Sequence, residues 1–368
     1  MTHPFLDLAP LSAARFAAIE DRVARLLATD QDVVIMQGEA LLPLEGAIRG
    51  TAGPGTTALN VVTGPYGQTF GNWLRDCGAR VIDLAVPFHT AVTADQVRDA
   101  FAEHPEIDFV SLVHAEAATG NTNHAAEIGA VVREHGALFY LDAVASIAAE
   151  PVLPNAWGVD LCVIGAQKAM GGPAGVSAIS VSGRAWQRMA ANPGAPRRSY
   201  LSLLDWKERW TDGGRRVLPH APAQLEMLAL EACVERIERE GLEAVMARHA
   251  AAAAATRAGV TALGGGLEPY VYDAGNAAPV ATTVRVPAGA DASEVAAKAL
   301  AADPGVPVTA GGGALAREMI RVNHYGAGAD EGVVQAAVAA MGAGLAESGV
   351  PVDFAGARRA VAGVWARR

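Results

Sequence analysis

Two short apolar runs constrain this chain more than any other feature. Ala137-Leu-Phe-Tyr-Leu-Asp142-Ala-Val-Ala-Ser146 and Asp160-Leu-Cys-Val-Ile-Gly-Ala-Gln167-Lys168-Ala-Met-Gly-Gly172 both carry β-branched or aromatic residues. Each stops at a polar residue followed by small ones, the pattern of a buried parallel strand emptying into a loop. In an open α/β sheet, ligands gather outside the carboxyl ends of the strands. Asp142 and Lys168 are therefore expected at that edge, on successive strands.

Singly, an Asp after a strand is usually a helix cap, and a Lys in a Gly-rich loop is usually a solvated charge. Delivered together they suit pyridoxal chemistry. That chemistry needs a lysine to form a Schiff base and an acid to keep the pyridine nitrogen protonated.

The remaining pattern supplies the sheet. Asp32–Met36, Ala58–Thr63, Val81–Ala85 and Phe109–His114 read as further strands, with helices between them, the one opened by Thr93-Ala-Asp-Gln96 carrying a capping sequence. Alternation at crossover spacing argues for a mostly parallel sheet covered on both faces. Gly175-Val-Ser-Ala-Ile-Ser-Val-Ser reads as a returning strand, and residues 184–220 as an irregular Pro- and Trp-rich segment near the site mouth and a subunit boundary. An amphipathic helix is expected over 13–28, another from Pro222 to about Glu240, and an alanine-rich one over His249–Ala258. Strand and helix alternate again over 278–347, with Ala281–Val286 and Met319–Asn323 as strands. The expected organisation is an N-terminal helical segment 1–30, a large domain 31–240 and a smaller C-terminal α/β domain 241–368.

The 368 residues suffice for two cores. A net charge of −10 without a basic cluster argues against nucleic acid. No apolar run could span a bilayer and Met1-Thr-His-Pro opens no signal peptide, so a cytoplasmic enzyme is expected. Cys77, Cys162 and Cys233 have no metal-ligand spacing, and no metal is expected.

Longer motifs give a resemblance: Asp142-Ala-Val-Ala-Ser146 with Gly165-Ala-Gln167-Lys168, Thr63-Gly-Pro-Tyr66-Gly, Ala191-Asn-Pro-Gly-Ala-Pro-Arg197 and Arg321-Val-Asn-His324-Tyr-Gly326. The chain resembles the class V, fold type I aminotransferases from about residue 31 to its end. The resemblance implies a Lys168 Schiff base, Asp142 on the ring nitrogen, Tyr66 stacked on the ring, and Thr119 and Ser146 near the ring edge. Gln167 would contact the phosphate of the cofactor, and Arg321 would grip the substrate carboxylate. The partners are then a small amine and a 2-oxo acid, in a homodimer or homotetramer.

Two departures narrow the reading. Relatives place Ser-Gly at a helix N-terminus that binds the cofactor phosphate, whereas this chain has Glu39-Ala40. A carboxylate there repels a phosphate but can bind the hydroxymethyl group of an unphosphorylated vitamer. His220-Ala221-Pro222 likewise has Ala where phosphate-binding relatives use Thr. These features resemble the branch that consumes pyridoxamine as a substrate with pyruvate as acceptor. The alternative is resident pyridoxal 5'-phosphate in an alanine- or serine-utilising enzyme or a lyase. Gly312 stands where that branch has a second substrate-binding arginine, which points to another acceptor or to one arginine helped by backbone amides. Family members also carry an N-terminal segment with a Gly-Pro turn reaching toward the site. It is not found here, so either the recorded start is internal or the site closes differently.

Overall fold

The computed structural model describes residues 8–367; of the irregular N-terminal stretch expected from sequence, residues 1–7 lie outside that range. Seven strands form the central sheet: β1 Asp32–Met36, β2 Thr57–Val62, β3 Arg80–Ala85, β4 Phe109–Val113, β5 Leu138–Asp142, β6 Leu161–Gly165 and β7 Ser177–Val181. Their spatial order is β1-β7-β6-β5-β4-β2-β3. Every residue of β4, β5 and β6 is buried, as expected for strands covered on both faces. The edge strand β3 is only partly covered, and its first residue and its middle carry the Arg80–Glu106 and Arg75–Asp83 ion pairs, charges that discourage pairing with another sheet.

Only β7 runs against the others. Its connection from β6 spans residues 166–176 and contains no helix. A parallel crossover needs a dozen or more residues, usually helical, so this chain turns back on itself. Lys168 sits in that return. Consequently β1, β2, β4, β5 and β6 all deliver their carboxyl ends to one edge of the sheet.

The segment 184–220 departs in part from the sequence expectation of an irregular stretch, because nearly half of it is helical. Helices Gly183–Ala191 and Leu203–Trp206 are followed by a π-turn over Lys207–Thr211. Ser182 and Ser202 cap the two helices, and Trp186, Trp206 and Trp210 are buried. The tryptophans mark a packed face here. The N-terminal helix Ala13–Leu26 lies against Gln224–Glu240 through the Arg15–Glu231 and Arg22–Glu235 ion pairs. The alanine-rich helix extends over Leu242–Leu263, longer than its alanine run suggests.

A second sheet contains β8 Glu268–Pro269, β9 Ala281–Arg285, β10 Val308–Ala310 and β11 Met319–Asn323, in the order β8-β9-β11-β10 and antiparallel throughout. Val284, Ile320 and Val322 join the core beneath its helices. Ala281 faces the other way, packing with Ala115, Ala117, Ala145 and Ala169 from the loops at the large sheet's edge. Gly171 and Gly326 meet back to back with positive φ; a Cβ on either would lie 2.5–2.7 Å from the other's Cα. That contact holds the loop after Lys168 against the loop after β11. Among the described residues, no helix is long and apolar enough to cross a membrane.

Candidate active site

The strand ends converge on a cavity lined by Glu39, Ala40, Leu41, Leu44, Tyr66, Ala115, Ala117, Asp142, Val144, Ala145 and Lys168. Asp142 is the last residue of β5, and its Oδ1 accepts the Val144 N–H at 2.9 Å. Burial pushes its carboxyl up to about 6, against the opposing pull of that amide and of Lys168. Lys168 Nζ lies over the Tyr66 ring, 5.4 Å from its centre. Tyr66 opens the helix Pro65–Asp76. Its hydroxyl is raised above the usual phenol range by burial.

Glu39 and Ala40 precede the helix Leu41–Thr51. Glu39 Oε2 accepts the Leu41 N–H and Oε1 accepts from Gln167 Nε2, both at 2.7 Å. An N-terminal helical amide and the side-chain amide beside it are thus already held by a carboxylate of this chain. Gln37 accepts from the backbone N–H of Ala223, tying the segment after Ala221 to the end of β1.

The other expected residues lie around the cavity rather than on its wall. The Ser146 hydroxyl donates to Ala143 O at 3.3 Å, and Thr119 is buried with its hydroxyl 3.4 Å from Glu116 O. Thr283 on β9 donates to Thr119 O at 2.6 Å, tying the second sheet to this loop. Arg321 pairs with Thr283 across β9 and β11. Its Nε is buried and donates to nothing among the described residues.

One residue passed over at the sequence level is Glu116. It is fully buried beneath Gly64, where a Cβ would lie 2.1 Å from the Glu116 Cγ. Burial, with Asp142 nearby, pushes its carboxyl up to about 8; the Tyr66 and Gly67 amides and Lys168 oppose this. Neither oxygen reaches a hydrogen bond of good geometry. The available signal was a glutamate directly after a buried strand at the ligand edge, the argument applied to Asp142.

These residues fit a pyridoxal ring. Asp142 is a buried carboxylate with no ion pair among the described residues, the environment in which a protonated ring nitrogen would satisfy an otherwise costly charge. The amine of Lys168 and the face of Tyr66 border the same space.

Comparison with known proteins agrees. The Aminotransferase class-V family model matches residues 7–338. A pyridoxamine–pyruvate transaminase of Mesorhizobium japonicum is 34% identical over 343 residues, 93% of this chain and 86% of that protein. The crystal structure of pyridoxamine-pyruvate aminotransferase from Mesorhizobium loti superposes with a TM-score of 0.92 at 33% identity, covering 98% of this chain and 91% of that one. Ureidoglycine-glyoxylate aminotransferase from Bacillus subtilis gives 0.89 at 25% identity, covering 98% and 93%. With the family match spanning most of its length, this chain belongs to the class-V aminotransferases, pyridoxal-phosphate-type enzymes of fold type I, and is an aminotransferase.

Proposed function

We propose that the protein transfers the amino group of pyridoxamine to a small 2-oxo acid such as pyruvate, giving pyridoxal and an amino acid, L-alanine in that case. The vitamin is a substrate in this reading and is not a resident phosphorylated cofactor. The observation that carries it is the Glu39 carboxylate, whose two oxygens occupy the Leu41 amide and the Gln167 amide group. A phosphate would need those donors. A free hydroxymethyl group asks only for an acceptor, which Glu39 provides. The similarity to the Mesorhizobium transaminase supports the same choice.

When bound, the pyridoxal ring supplies an electron sink that makes the substrate C–H bond acidic. This chain's residues do the rest. Asp142 keeps a proton on the ring nitrogen by a charge-assisted hydrogen bond. Lys168 is the amine that would hold the aldehyde carbon when no other amine is present, and its Nζ would move the proton between the two carbons. Tyr66 covers one ring face, Ala40 bounds the ring edge, and Ser146 and Thr119 fix the loops around it. Arg321 presents a planar fork to the acceptor carboxylate. Leu41 at the rim, with Tyr200 and Val217 in the neighbouring segment, is an exposed apolar side chain. We read these as surfaces covered by a second subunit in a homodimer or homotetramer.

The test is direct: purified protein is mixed with pyridoxamine and pyruvate, and pyridoxal and alanine are quantified. Stoichiometric formation of both is expected without added phosphate ester. Turnover only of amino acid and 2-oxo acid, dependent on tightly held pyridoxal phosphate, would place the protein among the conventional members of the family.

A further inference from the structure

The acceptor carboxylate needs a cation, and the antiparallel sheet offers two from one face. Across β9 and β11, Thr283 stands opposite Arg321 and Arg285 opposite Met319. Residues two apart along a strand share a face, as do directly opposed residues, so Arg285 and Arg321 project from the same side. They are diagonal neighbours, with Cβ atoms about 7–8 Å apart. Their side of the sheet is the one turned toward the active-site loops, where Thr283 bonds to Thr119 and Ala281 packs against Ala115 and Ala169.

Several other partly buried arginines are neutralised by carboxylates, Arg188 by Asp108, Arg215 by Glu20 and Arg248 by Glu240, whereas Arg257, on the helix Leu242–Leu263, is partly buried and makes no ion pair among the described residues. Arg285 and Arg321 make no ion pair among the described residues, and the Nε of each is buried without an acceptor. Arg285 donates from Nη1 to the Tyr272 hydroxyl at 2.9 Å, and its guanidinium carbon lies 5.3 Å and 5.9 Å from the ring centres of Tyr270 and Tyr272. His89, from the large-sheet side, packs edge-on against both rings. The rings hold the guanidinium by cation–π attraction and leave its charge unmatched. A buried N–H without an acceptor costs desolvation energy, and a guanidinium fork suits a carboxylate bidentately. Gly312 contributes no charge where the resemblance places a second arginine, and among the described strands of this sheet Arg285 is the cation that shares a face with Arg321.

We propose that Arg285 is a specificity-determining residue that binds the second carboxylate of a dicarboxylic 2-oxo acid, whose first carboxylate is held by Arg321. This rests on the amino-transfer reading and narrows the acceptor to oxaloacetate- or 2-oxoglutarate-like acids over monocarboxylates of pyruvate size.

The experiment measures kcat and KM with pyridoxamine as donor and pyruvate, oxaloacetate or 2-oxoglutarate as acceptor. Wild type is compared with Arg285→Gln, Arg285→Lys and Tyr272→Phe, each with its melting temperature. Wild type is expected to favour a dicarboxylate. Arg285→Gln should lower kcat/KM for it about 10- to 100-fold, chiefly through KM, while pyruvate changes by less than about threefold. Arg285→Lys should recover part of the loss, and Tyr272→Phe should keep the preference. A wild-type preference for pyruvate would overturn the proposal. So would an equal fall for all acceptors with a lowered melting temperature, which is how a purely structural staple behaves. Binding is read separately by thermal shift with succinate and acetate, which needs no turnover. Failure of pyridoxamine turnover together with a succinate shift lost in Arg285→Gln sinks the amino-transfer reading alone; no succinate shift in wild type sinks the subsite.

Discussion

Replacing Glu39 by Ser should switch the vitamer preference, and the structure bounds by how much. A phosphate placed at ~4 Å from the Glu39 carboxylate meets a repulsion of about 4 kcal/mol per pair of unit charges at an effective dielectric of ~20, or about 1 kcal/mol in bulk water. Glu39 is exposed, so solvent screening favours the lower figure. The substitution also frees the Leu41 amide and the Gln167 amide group, each bonded to the carboxylate at 2.7 Å. Part of what they would give a phosphate is lost to the water they first bind. A net change of about 1–2 kcal/mol corresponds to a swing of about 5- to 30-fold in the ratio of the two dissociation constants. The assay is a parallel absorbance titration of both proteins with pyridoxal and with pyridoxal phosphate. Wild type should prefer pyridoxal, and Glu39→Ser should move the ratio toward the phosphate. A wild type that prefers the phosphate, with a ratio untouched by the substitution, would refute the reasoning.

Three further outcomes are expected. Lys168→Ala should leave the circular dichroism spectrum unchanged while turnover drops below about one-hundredth of wild type, since it removes the group that moves the proton; appreciable residual turnover without added amine would dismiss that role. Asp142→Asn should still bind the vitamer but slow proton transfer on the order of 10²-fold in single-turnover experiments, and an unchanged rate would take Asp142 out of the mechanism. Glu116 has its carboxyl raised from 4.5 to about 8 in the folded protein. The folded state therefore keeps a proton that the unfolded chain releases, and stability from this group falls as pH rises across that interval. Glu116→Gln cannot titrate, so its melting temperature relative to wild type should climb from about pH 4.5 to about pH 8; a gap constant with pH would contradict the buried-charge account.

The sequence by itself determined the central sheet and the residues at its active edge. Strands buried on both faces must be continuous apolar runs, and a polar residue ending such a run is necessarily delivered to the sheet's edge. Asp142 and Lys168 were expected at that edge for that reason, whereas Tyr66 and Glu39 were singled out by the resemblance. Local chemistry was equally legible: the Thr93–Gln96 capping box forms as its spacing requires. The tryptophans of the 184–220 segment did not reveal its helices or its packing, because composition does not say which way a ring points. Only packing shows Trp206 and Trp210 buried against Phe16. Tertiary structure alone decided that Glu39 occupies the amides next to it, that Glu116 lies under Gly64, and that Arg285 shares a face with Arg321. Each depends on contacts between segments far apart in the chain. The Arg285–Arg321 relation depends on strand register, where a shift of one residue would turn either side chain to the opposite face.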